Sequence, residues 1–306
     1  MNSKELRPEI RKIVKLTPRL PWSKWFKISR LLYDIGAQTK LAKGVNVSRV
    51  VENGVDLLVY SPKSKAPKGA ILWIFGGGHW AGKPAHLNSI ASKVVNELGV
   101  EVFVPKYRLA PRHPFPANLD DCFRAWHWLI AHVDKRGLDL EKLAIAGHSA
   151  GGGLAAALVQ RIYDEGGVQP KVQCLFYPMV DDRIAINRAL DKKNHFIWNN
   201  KVNYDAWKAY LKPHLPGQAS LPAYAAAARR EDLSGLPPAW IGQCGLDLFF
   251  DQYTTYAERL NDAGVKCETY LVEGVPHAFE VLAPKKEISQ QFEADAIRFL
   301  GKVFNE

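Results

Sequence analysis

The chain has 306 residues, 47% of them hydrophobic and 24% charged, which suits a large packed core and excludes a disordered chain. Lys and Arg number 41 against 31 Asp and Glu, a formal charge of +10. Apart from a cluster at Lys4, Arg7, Arg11, Lys12, Lys15 and Arg19 the basic residues are scattered, so the excess reads as a solvated surface and no nucleic-acid partner is expected.

Residues 1–45 read as helical, with aromatics at Trp22, Trp25 and Phe26. Val45–Val51 and Val55–Tyr60 flank Asn53-Gly54, a favoured two-residue turn, and predict a hairpin. Strand and helix then alternate. Ala70–Phe75 is a strand that runs into three glycines, 87–98 a helix, Glu101–Tyr107 a strand and 117–134 a helix. Leu143–Gly147 is a strand, Ala150–Asp164 a helix and Val172–Tyr177 a strand. After a long connection come strand Ala239–Cys244, helix Asp251–Ala263, strand Glu268–Val272 and helix Glu287–Phe304. Such alternation predicts the α/β class: a mostly parallel central sheet with helices on both faces. The connection 180–236 is too long for a plain loop and carries Trp198, Tyr204, Trp207 and Tyr210, so it should hold helices of its own. With residues 1–45 it is read as a helical cap over the carboxyl edge of the sheet, where ligands of open α/β sheets bind. The expected organisation is a cap segment at 1–45, core at 46–179, a cap insertion at 180–220 and core again at 221–306.

No apolar run reaches the roughly 18 residues of a membrane span. Residues 1–20 alternate charged and apolar side chains, unlike a secretory signal. The four cysteines, Cys122, Cys174, Cys244 and Cys267, are far apart and lack CxxC spacing, which predicts free thiols rather than disulfides or a zinc site. A cytoplasmic home follows as the expectation, with the periplasm left open.

The strongest chemical signal is Gly147-His148-Ser149-Ala150-Gly151, between an apolar strand and an Ala-rich helix. A G-x-S-x-G in that context is a nucleophile elbow: a sharp turn exposes the serine, and the helix amino end puts partial positive charge beside it. A second signal is Gly76-Gly77-Gly78 at the end of an earlier strand. Consecutive glycines let backbone N–H groups approach a substrate oxyanion, each such donor being worth about 10²–10³ in rate. The serine needs a base, and the base an orienting acid, in the chain order Ser, acid, His. Asp247 and His277 each follow a predicted strand. Asp251 is the competing acid and is read instead as the start of a helix. His127 and His132 fall on a predicted helix, and His113 and His214 adjoin prolines in polar loops.

Together these motifs resemble the hormone-sensitive-lipase-like family of carboxylesterases and lipases, from about residue 45 to the carboxyl terminus. The resemblance rests on Gly76–Gly78, Tyr107-Arg108-Leu109-Ala110-Pro111, Pro114–Ala117, Gly147–Gly152, Asp232–Pro238, Asp247-Leu248-Phe249 and Pro276-His277-Ala278-Phe279. It implies the α/β-hydrolase fold, a catalytic triad of Ser149, Asp247 and His277, an oxyanion hole of the Gly77, Gly78 and Ala150 amides, and neither cofactor nor metal. Two departures stand out. Phe75 replaces the family's usual histidine before the glycines, which puts the loop's support in question, with His79 as a candidate substitute. His148 replaces the usual Asp or Thr of the elbow.

The implied activity is hydrolysis of small carboxylic esters, of short to medium acyl length, through an acyl-enzyme. An amidase, lactonase or aryl esterase would use the same three residues. A ligand-binding relative without catalysis would lack the histidine, which is present. A lipase acting at lipid interfaces would use residues 4–25 as an amphipathic surface helix. The expected partner is a small-molecule ester, without stable membrane insertion, and a homodimer is left open.

Overall fold

A computed structural model describes residues 1–17 and 41–305. Most of the cap segment expected at 1–45, including Trp22, Trp25 and Phe26, lies outside the described residues. Before it stands one helix, Pro8–Leu16, which buries Ile10 and Val14.

Eight strands form one sheet: β1 (Val45–Glu52), β2 (Val55–Pro62), β3 (Ala70–Ile74), β4 (Glu101–Pro105), β5 (Leu143–His148), β6 (Val172–Phe176), β7 (Ala239–Cys244) and β8 (Cys267–Val272). Their order is β1-β2-β4-β3-β5-β6-β7-β8. β1 with β2 and β2 with β4 are antiparallel, and every other pair is parallel. The hairpin closes as read: Asn53 and Gly54 both have positive φ, 48° and 77°, the backbone that a twisted two-residue turn requires.

Central strands β3 to β7 are buried throughout, as near-continuous apolar runs demand when helices cover both faces. Helices Asn88–Leu98 and Glu287–Phe304 touch each other and pack on the sheet. Ala117–Ala131 and Ala150–Glu165 form a second mutually packed pair, which Phe250–Asp262 extends along β7 and β8.

Most element boundaries shift by a residue or two from the sequence reading, β4 ending at Pro105 rather than Tyr107 and β2 at Pro62 rather than Tyr60, and two of the shifts have a local cause. The helix expected over 117–134 breaks at His132, whose N–H turns to the Leu129 carbonyl while its ring Nδ1 donates to the Trp128 carbonyl. The helix read from residue 87 begins at Asn88, after a 3-10 turn over Pro84–Leu87.

The long connection does hold helices. Ala189–Lys193 is short, and Asn200–Leu211 is capped by the Asn199 side chain accepting from Val202 N–H. Its two ends meet at the base. Ala228 N–H donates to the Val180 carbonyl. The buried Asp182 carboxylate takes two bonds from the Arg229 guanidinium, at 2.6 and 2.9 Å, and a third from Gly217 N–H at 2.6 Å. No described helix is long and apolar enough to cross a membrane.

Candidate active site

Ser149 stands between β5 and the helix Ala150–Glu165 with φ 54° and ψ −120°. This backbone is costly for any side-chain-bearing residue, and the surroundings enforce it. Ser149 N–H donates to the Phe176 carbonyl at 2.9 Å, and its own carbonyl accepts from Gly153 and Met179. A Cβ on Gly147 would lie 2.2 Å from the Gly151 carbonyl oxygen, and one on Gly151 would lie 2.3 Å from those of Ile74 and Phe75. Both outer glycines of the motif are therefore required by backbone contact.

Asp247 and His277 follow β7 and β8. Parallel pairing of the two strands brings the loops together, and Gly245 and Leu246 N–H groups donate to the Val272 and Val275 carbonyls. His277 Nε2 lies 2.8 Å from Ser149 Oγ, and His277 Nδ1 lies 2.7 Å from Asp247 Oδ2. The other carboxylate oxygen accepts from Phe249 N–H at 3.1 Å. With Nδ1 donating to a carboxylate, Nε2 is left free to accept the serine proton. Asp247 and His277 are both buried, which strengthens the contact between them. Tyr177, Phe249 and Trp198 surround the imidazole, at 4.7, 5.2 and 6.5 Å between ring centres. Asp251 is exposed in the first turn of its helix, the place read for it, and His127 is exposed on its own helix.

The glycine loop runs against the elbow. A Cβ on Gly76 would meet the His148 carbonyl oxygen at 2.8 Å and Ser149 Cβ at 3.2 Å. Gly77 and Gly78 have φ of 124° and 60°. Among the described residues the N–H groups of Gly77, Gly78 and Ala150 have no protein acceptor. The Gly77 carbonyl is occupied by Trp80 and Ala81 N–H, which turns the loop back on itself.

Support at Phe75 comes from Tyr107. The two rings stack at 4.2 Å, and the Tyr107 hydroxyl donates to the Phe75 carbonyl at 2.8 Å. His79 braces the far end of the loop: its carbonyl accepts from Ala110 N–H, its Nδ1 lies 3.3 Å from Asn118 Nδ2, and its ring stacks on Tyr210 of the insertion helix. Burial pushes its pKa down to about 3, so it packs as a neutral ring.

His148 lies under the elbow rather than in line with the other three residues. Its ring stacks on Phe176 at 4.1 Å, and its Nδ1 accepts from Trp73 Nε1 at 3.0 Å. Burial, helped by the nearby His277, lowers its pKa to about 3. A neutral His148 adds no charge beside the serine. Tyr177, Glu280 and Trp198 were not legible as site residues. Tyr177 and Glu280 sit within three residues of read features, but only the packing of β6 against the His277 loop joins them: Tyr177 Oη donates to Glu280. The four cysteines are free.

The fold is that of an α/β hydrolase, and comparison with known proteins places the chain among ester hydrolases. A family model described as alpha/beta hydrolase fold matches residues 71–281, and the chain belongs to that family. Within it the chain sits among hormone-sensitive-lipase-like esterases. Esterase LipI of Mycobacterium tuberculosis is 33% identical over 221 residues, 71% of this chain and 67% of that one. The structure entitled Bacterial Heroin Esterase superposes with a TM-score of 0.92 at 30% identity, covering 100% of both chains. An esterase from the bacterial hormone-sensitive lipase family superposes at 0.82 with 26% identity, covering 97% of this chain and 99% of the other.

Proposed function

We propose that this chain hydrolyses small carboxylic esters, of short to medium acyl length, through an acyl-enzyme on Ser149. The observation that carries the reading is the unbroken line of hydrogen-bond distances from Ser149 Oγ through His277 to Asp247. In this reading Ser149 attacks the ester carbonyl as His277 Nε2 takes its proton. Asp247 holds the imidazole in the productive tautomer and stabilises its charged form. The amides of Gly77, Gly78 and Ala150 receive the oxyanion. His277 then protonates the leaving alcohol, and water repeats the sequence on the acyl-enzyme.

The cap belongs to the same proposal: residues 180–220 would cover the site and bound the substrate. The stack of His79 on Tyr210 supports this, because it joins the glycine loop to the insertion. Cytoplasmic action on a soluble ester, without nucleic acid or membrane insertion, fits the free thiols and the scattered charge.

The test is turnover of p-nitrophenyl esters of two to twelve acyl carbons. Wild type should favour the short members, and Ser149→Ala should lose about 10⁴-fold or more in kcat while staying folded. Asp247→Asn should lose about 10³-fold or more, and Asp251→Asn should stay within about twofold. Undiminished turnover by Ser149→Ala would overturn the nucleophile assignment.

A further inference from the structure

Trp198 belongs to the insertion, not to the core. Ile197 has φ 65°, and Trp198 N–H donates to the Phe196 carbonyl at 2.7 Å. The chain thus reverses tightly just ahead of the helix Asn200–Leu211. The indole Nε1 donates to Asn203 Oδ1 of that helix at 3.4 Å. The far edge of the ring reaches the glycine loop: a Cβ on Gly78 would lie 2.4 Å from Trp198 Cη2. The same ring stands 6.5 Å from the rings of both His277 and Phe249. Trp198 is only half-buried, although a residue of its type has a large apolar surface to hide.

The place of this ring relative to the reacting carbon follows from the chemistry proposed above. A tetrahedral intermediate on Ser149 carries three further substituents. The oxyanion points at the amides of the glycine loop and the helix start. The leaving oxygen faces His277, which must protonate it. The acyl carbon takes the remaining direction, away from both. A side chain that contacts Gly78 and flanks His277 therefore stands on the leaving-group side.

We propose that Trp198 is the wall of the alcohol pocket and sets the bulk of alcohol that the enzyme accepts. The inference rests on the ester-hydrolase reading. A flat indole face lets a slim primary alcohol lie alongside it, and a branched or cyclic alcohol collides with it. Because the wall is carried by the insertion, this selectivity is separable from the acyl side.

Two substrate series test it with wild type, Trp198→Ala and Trp198→Phe. One series holds the acetyl group and varies the alcohol through ethyl, isopropyl and cyclohexyl. The other holds p-nitrophenol and varies the acyl chain. Trp198→Ala should raise the cyclohexyl-to-ethyl ratio of kcat/KM about tenfold or more, with Trp198→Phe in between, and the acyl ranking should keep its order. An unchanged alcohol ratio, or a change confined to the acyl series, overturns the proposal. Circular dichroism and stoichiometric labelling of Ser149 by a fluorophosphonate verify that each variant carries a folded, reactive site. Wild type that takes the label yet turns over neither series overturns the ester-hydrolase reading itself. That result differs from an active wild type with an unmoved alcohol ratio.

Discussion

Glu280 lies three residues beyond His277 and is buried, with the Tyr177 hydroxyl donating to one of its oxygens and no partner for the other among the described residues. Burial pushes its pKa up from 4.5 to about 8, and the charges of Glu293 and Asp247 push the same way. Between those two values the folded carboxyl keeps its proton and the unfolded one loses it. The unfolded chain then binds fewer protons, so this group costs nothing below about pH 4.5 and costs progressively more stability towards pH 8. Glu280→Gln keeps an acceptor for Tyr177 and removes the titration. Its melting temperature should equal or fall below wild type at pH 4.5 and exceed it at pH 8, by an amount worth a few kcal/mol. Parallel melting curves at the two pH values check this; a pH-independent difference would show that Glu280 is ionised in the folded state. His148 makes the opposite case at the same scale. The sequence marks it as a departure beside the nucleophile, but only the stack on Phe176 and the Trp73 hydrogen bond reveal an uncharged packing residue.

The elbow is the element on which the site turns, and its geometry is set by contacts between backbones. β3 and β5 are paired, so the loop after β3 and the turn after β5 leave the sheet side by side. Gly151 sits where the two meet, its missing Cβ giving room to the Ile74 and Phe75 carbonyls. Gly151→Ala cannot be absorbed by a rotamer change, because the obstruction is backbone oxygen. It should destabilise the protein by about 3 kcal/mol or more and abolish turnover in what remains folded. Chemical denaturation of wild type and variant measures the first, and active-site titration the second. The G-x-S-x-G was readable because a strand-to-helix turn this tight admits few residue types. The companion break at His132 was not, since it depends on a histidine ring bonding its own helix.

Across the whole molecule, the connection 180–236 is held by apolar side chains that join the main core, among them Phe196, Trp207 and Tyr210, and by buried polar groups at its base. Asp182 and Arg229 close its base, with Gly217 N–H completing the carboxylate's partners. Asp182→Ala leaves the Arg229 guanidinium, itself mostly buried, without its counter-charge. Removing one member of such a pair costs about 3 kcal/mol or more, a fall of roughly 5 °C or more in melting temperature for a chain of 306 residues. Limited proteolysis should then cut first between residues 183 and 228. Cleavage elsewhere first would mean that the pair does not hold the insertion.

The order of strands and helices, the central apolar runs, the hairpin turn and the positions of Ser149, Asp247 and His277 were all set by local features. These are the period of the apolar residues, glycines that a turn requires, and short motifs at strand ends, each legible within a few residues of the chain. The tertiary structure alone decided what lies against what. It brought Asp247 and His277 to hydrogen-bonding distance through the pairing of β7 and β8. It gave Phe75 its support from Tyr107, and it put Trp198 and Tyr210, more than 100 residues further along the chain, against Gly78 and His79. Contacts between residues so far apart depend on how whole elements pack, and packing leaves no periodic trace in the sequence.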